Sequence, residues 1–244
     1  MFFNISAFTH TGTKRTKNED CILANGNLLT EGEIHLSEKE NCVCFVADGV
    51  GGNLGGEFAS HFVLEKIRSL NNIFNTDTTS FLENINIDLI SATSKSETIQ
   101  GAATTLSGIL LKENNIKVFH AGDSQIWLLR NDIFFKFTTD HVLDEFVDNS
   151  PITSYYGGYN NHLKIEENNN VRIPLEGDFF LICSDGLFKS LSPKIVQVII
   201  SSNETIDIKT KRILQNTLES GADDNISVIL IQINEKVLES ENHK

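Results

Sequence analysis

Acidic residues close or open the apolar runs of this chain, and that placement is the chemistry to be explained. Residues 42–47 stop on Asp48-Gly49, and residues 179–184 stop on Asp185-Gly186. Asn18-Glu19-Asp20 leads into Cys21-Ile22-Leu23-Ala24, and Asp223-Asp224-Asn225 leads into residues 226–233. A run of this length, rich in aromatic and branched residues and bounded by a turn signal, reads as a buried strand. A carboxylate at the mouth of such a strand is costly to desolvate and needs a cation or several hydrogen bonds to stay charged. Four acid-bearing strand ends point to a carboxylate-lined metal site. Oxygen donors suit hard divalent cations, and no His-x-x-x-His or thiolate set is offered for zinc.

The elements that must position these acids can be read from periodicity. Residues 2–10 form a first strand, followed by a loop over 11–17; residues 20–25 and 42–48 are the next strands, separated by a polar loop through Glu31, Glu33, Glu38 and Glu40. Ala59, Phe62, Val63, Ile67 and Leu70 fall at helical spacing, as do Leu82, Ile85, Leu89 and Ala92. Strand-like segments follow at 103–111, 116–121, 126–130 and 134–138, with Glu113-Asn114-Asn115 and Asn131-Asp132 as hairpin turns, so these neighbours are antiparallel. The polar stretch 142–177 reads mostly as loop. After the strand 179–184 come two helical patterns, Ile195, Val196, Ile199, Ile200 and Ile213, Leu214, Thr217, Leu218, and then a last strand at 226–233. Paired helices between groups of antiparallel strands predict an α+β fold with two sheets sandwiched by helices. Without repeats or a linker, residues 1–244 read as one domain.

With 244 residues, 40% of them hydrophobic and 22% charged, the chain can bury one substantial core. A net charge of −13 works against nucleic-acid and anionic-lipid binding, both of which depend on many Lys and Arg contacts. No apolar stretch reaches membrane-spanning length, and Met1-Phe2-Phe3-Asn4-Ile5 lacks the layout of a signal peptide, so the expected location is cytoplasmic. Cys21, Cys42, Cys44 and Cys183 lie inside expected strands and read as buried reduced thiols. Gly49-x-Gly51 begins a dinucleotide fingerprint, but Leu54 occupies the third required glycine position and Asp48 would face any phosphate there, which rejects a Rossmann reading.

Seven motifs, in order, carry a family resemblance. They are Thr9-x-x-Gly12-x-x-Arg15-x-x-Asn18-Glu19-Asp20, Val46-Ala47-Asp48-Gly49-Val50-Gly51-Gly52, Gly101-Ala102-Ala103-Thr104-Thr105, Ala121-Gly122-Asp123-Ser124, Thr139-x-His141, Cys183-Ser184-Asp185-Gly186-Leu187 and Asp224-Asn225-Ile226-Ser227. Together they resemble the metal-dependent serine/threonine protein phosphatases of the type 2C family, in its bacterial form, over nearly the whole chain. The resemblance implies a four-layer αββα sandwich and two Mn²⁺ or Mg²⁺ ions sharing Asp48. Asp185 and Asp224 would complete the first ion's protein ligands, Glu19 and the Gly49 carbonyl would serve the second, and Asp20 and Asn225 would act from behind them. A third ion would fall to Asp123 and Asp185. The implied partners are phosphorylated proteins and an opposing Ser/Thr kinase, with the chain acting as a monomer.

The residue types suit that chemistry. A water shared by two cations loses a proton near neutral pH and can attack phosphorus in line while the ions neutralise phosphoryl charge. Arg15 offers a planar fork for two phosphate oxygens. Ser124 lacks a base partner, Thr104 and Thr105 read as packing residues beside the site, and His120 and His141 read as hydrogen-bonded structural residues. Two departures from the family pattern stand out. Val50 replaces the histidine that some members carry after Asp-Gly, which leaves the general acid unassigned, and the flap region at about 142–176 is short. A catalytically silent module that binds phosphoproteins or a regulator is the alternative reading, and a purely structural cation site is a third, in which Arg15 has no purpose.

Overall fold

The computed structural model describes residues 1–50, 55–113, 115–147, 150–159, 163–168 and 173–235. Strands β1 (Phe2–His10), β2 (Cys21–Ala24), β3 (Asn27–Leu29), β4 (Gly32–Lys39) and β5 (Asn41–Ala47) precede helices α1 (Gly56–Ser69) and α2 (Thr78–Thr93). Next come β6 (Ala103–Thr104), β7 (Leu106–Lys112), β8 (Asn115–Ala121), β9 (Gln125–Arg130), β10 (Ile133–Lys136), β11 (Tyr156–Gly157), β12 (Glu166–Asn168) and β13 (Phe179–Cys183). Helices α3 (Gly186–Ser190), α4 (Pro193–Ile200) and α5 (Ile206–Glu219) lead to the closing strand β14 (Ile226–Asn234).

Two six-stranded sheets result, ordered β10-β9-β13-β14-β1-β4 and β12-β8-β7-β5-β2-β3, with β11 and β6 forming a short ribbon. The strand pairings are antiparallel. The period of two along each strand sorts its apolar residues into separate layers. On β5, Cys42, Cys44 and Val46 face the opposite sheet. Phe45 and Ala47 instead join Val63, Leu64 and Ile67 of α1 and Leu82, Ile85 and Leu89 of α2. On β14, Ile229, Ile231 and Ile233 enter the inter-sheet core, whereas Val228 and Leu230 pack with Val196, Ile199 and Ile200 of α4 and Ile213 of α5. Each central strand is thus covered on both faces, which is why its sequence reads as a continuous apolar run, and the layering is helix, sheet, sheet, helix. All four cysteines are free and buried, as expected. Among the described residues no helix is long and apolar enough to cross a membrane.

The structure departs from the sequence reading at the sheet edges. The expected polar loop between the second and third strands is largely β3 and β4. Strand β4 pairs with β1 at the sheet edge and presents Ile34 and Leu36 to the core, while its glutamates face solvent. An edge strand needs only these two inward residues, so its composition looks like loop. The 103–111 segment breaks at Thr105, the 142–177 segment contributes β11 and β12, α3 is a short helix without a periodic signature, and Ala92 is exposed while Thr93 is buried. The Asn131-Asp132 hairpin turn places both residues at positive φ, 50° and 60°, as a two-residue turn between twisted strands requires. Gly51, Gly52, Leu54, Asn114, Asn169 and Asn170 lie outside the described residues.

Candidate active site

Antiparallel register alone gathers the acids. Pairing Cys21 with Ala47 sets the entry to β2, which carries Glu19 and Asp20, beside the exit from β5, which carries Asp48. Pairing Cys183 with both Val228 and Gln125 sets the exit from β13, with Asp185, beside the entry to β14, with Asp224, and beside the β8–β9 turn that holds Asp123. The strand ends of both sheets therefore open on one edge of the sandwich.

Backbone hydrogen bonds fix that edge. The Asp48 N–H donates to the Thr105 hydroxyl (3.0 Å), and the Asp48 carbonyl accepts from the Thr105 N–H (2.8 Å) and the Thr104 hydroxyl (2.9 Å). This is the reason that the strand breaks at Thr105. The Gly49 N–H donates to the Glu19 carbonyl (3.1 Å), and a Cβ at Gly49 would stand 2.7 Å from that oxygen and 2.5 Å from the Gly56 carbonyl carbon, so the close approach demands glycine. Asn225 works as a clasp: its Oδ1 accepts from the Glu19 N–H, and its Nδ2 donates to the carbonyls of Thr11 and Lys17, all at 2.9 Å. The 11–17 loop, which carries Arg15, is thereby tied to the start of β14. Gly12 lets that loop sit down, with φ +83° and space for no Cβ, since one would fall 2.1 Å from the Asp224 carbonyl oxygen.

Arg15, Glu19, Asp48, Gly49, Asp123, Asp185, Asp224 and Asn225 all line one cavity of about 410 Å³. Asp20 lies buried; its Oδ2 accepts from the Ser227 hydroxyl (2.8 Å), and its Oδ1 has no hydrogen-bond partner among the described residues. The cavity shares Arg15, Asp123, Asp185, Lys189 and Asp224 with a wider cleft of about 790 Å³, whose other side includes Val142, Glu145 and Val147.

So many acids in one cavity perturb one another. Burial pushes the Asp48 carboxyl well above the ordinary carboxylate range, and the charges of Asp20, Asp185, Asp123 and Asp224 push it further. Burial likewise raises Asp20 and Asp123, each to about 7, and raises Glu19 and Asp185. Asp224 goes the other way: burial raises it, but the Lys189 ammonium and the Arg15 guanidinium outweigh burial and hold it low. Clustered carboxylates that resist ionisation, one with an unpartnered buried oxygen, are the groups that a hard cation would satisfy, so the donor set fits a divalent metal. The acids are gathered but not closed into a cage: among the described residues no three Asp, Glu, His or Cys side chains converge as ligands. Two side-chain cations stand among them instead. Arg15 Nη2 lies 2.8 Å from Asp224 Oδ1, and Lys189 Nζ lies 2.6 Å from Asp185 Oδ2 and 2.9 Å from Asp224 Oδ2.

Sequence reasoning missed Lys189, whose only signal is its position one helical turn after Asp185. Ser227 stands in the last motif without an assigned role; its hydroxyl holds Asp20. The two histidines serve as struts. His120 is buried, with Nε2 donating to the Thr139 carbonyl (2.9 Å) and Nδ1 facing the Ser107 hydroxyl (2.8 Å). His141 Nδ1 accepts from the Gly122 N–H (3.3 Å), and its Nε2 lies 3.2 Å from Glu166 Oε1. Ser124 shares a hydrogen bond with Thr105 (2.7 Å) and meets no base among the described residues.

A buried acid cluster at the edge of an αββα sandwich, faced by a guanidinium, has the chemistry that hydrolysis of phosphate esters with divalent ions would use. Residues 27–221 match the family model for protein phosphatase 2C, and the chain belongs to that family of protein phosphatases. It is 26% identical over 255 residues to the protein phosphatase PhpP of Streptococcus pneumoniae, covering 95% of this chain and 98% of that one. It is 24% identical over 251 residues to the serine/threonine phosphatase stp of Listeria innocua, covering 93% and 94%. The fold matches the S. agalactiae serine/threonine phosphatase with a TM-score of 0.80 at 23% identity, over 96% of this chain and all of that one. It also matches the catalytic domain of the phosphatase PstP in complex with two manganese ions, with a TM-score of 0.76 at 22% identity over 96% and 99% of the two chains.

Proposed function

We propose that the chain, acting as a single catalytic domain, removes phosphate from phosphoserine and phosphothreonine in proteins and so opposes a Ser/Thr kinase. The observation that carries this reading is the convergence of Glu19, Asp48, Asp123, Asp185 and Asp224 with Arg15 around one cavity. Asp48, Asp185 and Asp224 are assigned to one Mn²⁺ or Mg²⁺ ion, Asp48, Glu19 and the Gly49 carbonyl to a second, and Asp123 with Asp185 to a third. When bound, such ions lower the pKa of a shared water and neutralise charge on the phosphoryl group.

The remaining work falls to side chains. Arg15 grips two phosphate oxygens through its fork, which a lysine does less well. Asn225 holds both Glu19 and the Arg15 loop in place through its three hydrogen bonds. Asp20, held by Ser227, adds negative charge behind Asp48 and favours cation uptake. Val50 lines the cavity and carries no proton to give. The exposed Val147, which lines the wide cleft, and its exposed neighbours in sequence, Leu143 and Phe146, favour a protein substrate over a small phosphate ester.

Hydrolysis of an aryl phosphate and of a phosphothreonine peptide, each with and without Mn²⁺, tests the reading. Turnover that needs Mn²⁺ and disappears in Asp48→Asn is expected. Absence of turnover under every condition would favour the silent phosphoprotein-binding module instead.

A further inference from the structure

Among the described residues, Lys189 is the one cation that touches two of the assigned metal ligands at once. Its Nζ lies 2.6 Å from Asp185 Oδ2 and 2.9 Å from Asp224 Oδ2, whereas Arg15 reaches Asp224 alone among the acids. Helix geometry explains the reach, because Lys189 follows Asp185 by four residues on α3 and so projects over the same face. The nearby lysines do something else. Lys14 and Lys17 pair with Asp223 and Glu57 on the open surface. An ammonium between two carboxylates offers them a single positive charge where a divalent ion would offer two, and the side chain is exposed enough, at 41%, to leave.

We propose that Lys189 is a tethered counter-cation that holds Asp185 and Asp224 together in the metal-free protein and competes with the divalent ion for them, so that it sets the metal affinity of the site. The proposal rests on the assignment of those two aspartates as ligands. In the free protein Lys189 satisfies the acids; on metal uptake its ammonium is displaced into the cleft that Arg15 also lines. The device would let the acid cluster fold without metal at the expense of tight binding.

Calorimetric titration of metal-free protein with MnCl₂ tests this without any turnover. Replacing Lys189 by an uncharged residue, as Lys189→Met or Lys189→Gln, should tighten Mn²⁺ binding by about tenfold, the scale expected for two partly exposed ion pairs, and should lower the melting temperature of the metal-free protein. Lys189→Arg should remain close to wild type. Lys66→Ala removes the same charge from the remote pair with Asp88 and should leave the affinity unchanged. Trp127, the only tryptophan, packs at a tilt against Phe188, the residue before Lys189, with ring centroids 4.9 Å apart, and gives a second, fluorescent readout of the displacement. Equal affinities for wild type and both neutral variants would overturn the proposal, as would an equal gain in Lys66→Ala, which would reveal an effect of net charge only. No Mn²⁺ uptake by any variant would instead overturn the metal assignment beneath it.

Discussion

Asn225 offers the sharpest test of how this site is assembled, because a near-isosteric change should harm it more than truncation. The side chain is 6% exposed and makes three hydrogen bonds at 2.9 Å, one as acceptor from the Glu19 N–H and two as donor to the Thr11 and Lys17 carbonyls. At about 1 kcal/mol net for each bond, with the two loop carbonyls partly recovered by water, Asn225→Ala should cost about 2 kcal/mol. In a chain of this size that lowers the melting temperature by about 4–8 °C. Asn225→Asp keeps the acceptor for Glu19 but aims a second oxygen at two carbonyl oxygens and adds another acid to the cluster, so it should fall below the alanine variant. Thermal denaturation of the metal-free proteins measures both. Because the clasped loop carries Arg15, the alanine variant should also raise KM for an aryl phosphate more than it lowers kcat. An Asn225→Asp protein as stable as wild type would refute the donor assignment, and an unaltered KM in Asn225→Ala would refute the clasp.

Two further outcomes follow from buried groups away from the acids. Burial, with the neighbouring His141 charge, drives the His120 pKa from 6.5 to about 4, so the folded state binds its proton less readily than the unfolded state. The stability that neutral His120 lends is present in full above its unfolded pKa and is lost as pH falls toward its folded one; between about pH 7 and about pH 5 the loss is about 2 kcal/mol. Chemical denaturation of wild type and His120→Gln across that window should show the difference shrinking as pH falls; a constant difference would exclude the strut role of the neutral ring. Arg130 pairs through Nε (2.8 Å) and Nη2 with the carboxylate of Asp178, which is 2% exposed. Arg130→Ala strands that charge and should cost about 3–5 kcal/mol by urea denaturation, against almost nothing for the exposed Lys66→Ala, and equal effects would contradict the burial argument.

The sequence revealed what burial on both faces imposes and hid what one-sided burial allows. β5 and β14 are covered on each side, so their apolar runs and terminal acids stood out. β4 buries only Ile34 and Leu36 along a polar edge and looked like loop. At the site, residue types pointed to the acids because a carboxylate beside a buried strand demands a reason. Their convergence was not written in any segment; it comes from pairings such as Cys21 with Ala47 and Cys183 with Val228, which sequence separation conceals. Lys189 left no mark beyond a helical offset inside a five-residue helix that periodicity cannot detect.

The electrostatics of this edge give a reason for its construction. Two packed sheets bring Glu19, Asp48, Asp123, Asp185 and Asp224 into a partly dehydrated cavity with Asp20 buried nearby, and burial and mutual repulsion raise the pKa of all of these except Asp224. A site that avid for cations strains the fold whenever the ion is absent. Rigid backbone bonds to Asp48 and Gly49 hold the ligands despite the repulsion, and the only relief available is local positive charge. Arg15 and Lys189 supply it at Asp224 and Asp185, and Asp224 is accordingly the one acid of the cluster held below its ordinary pKa. Both cations line the cleft where, under the proposed function, a phosphorylated segment would enter. On the proposed roles, folding without the ion and recognition of the anionic substrate would draw on the same side chains.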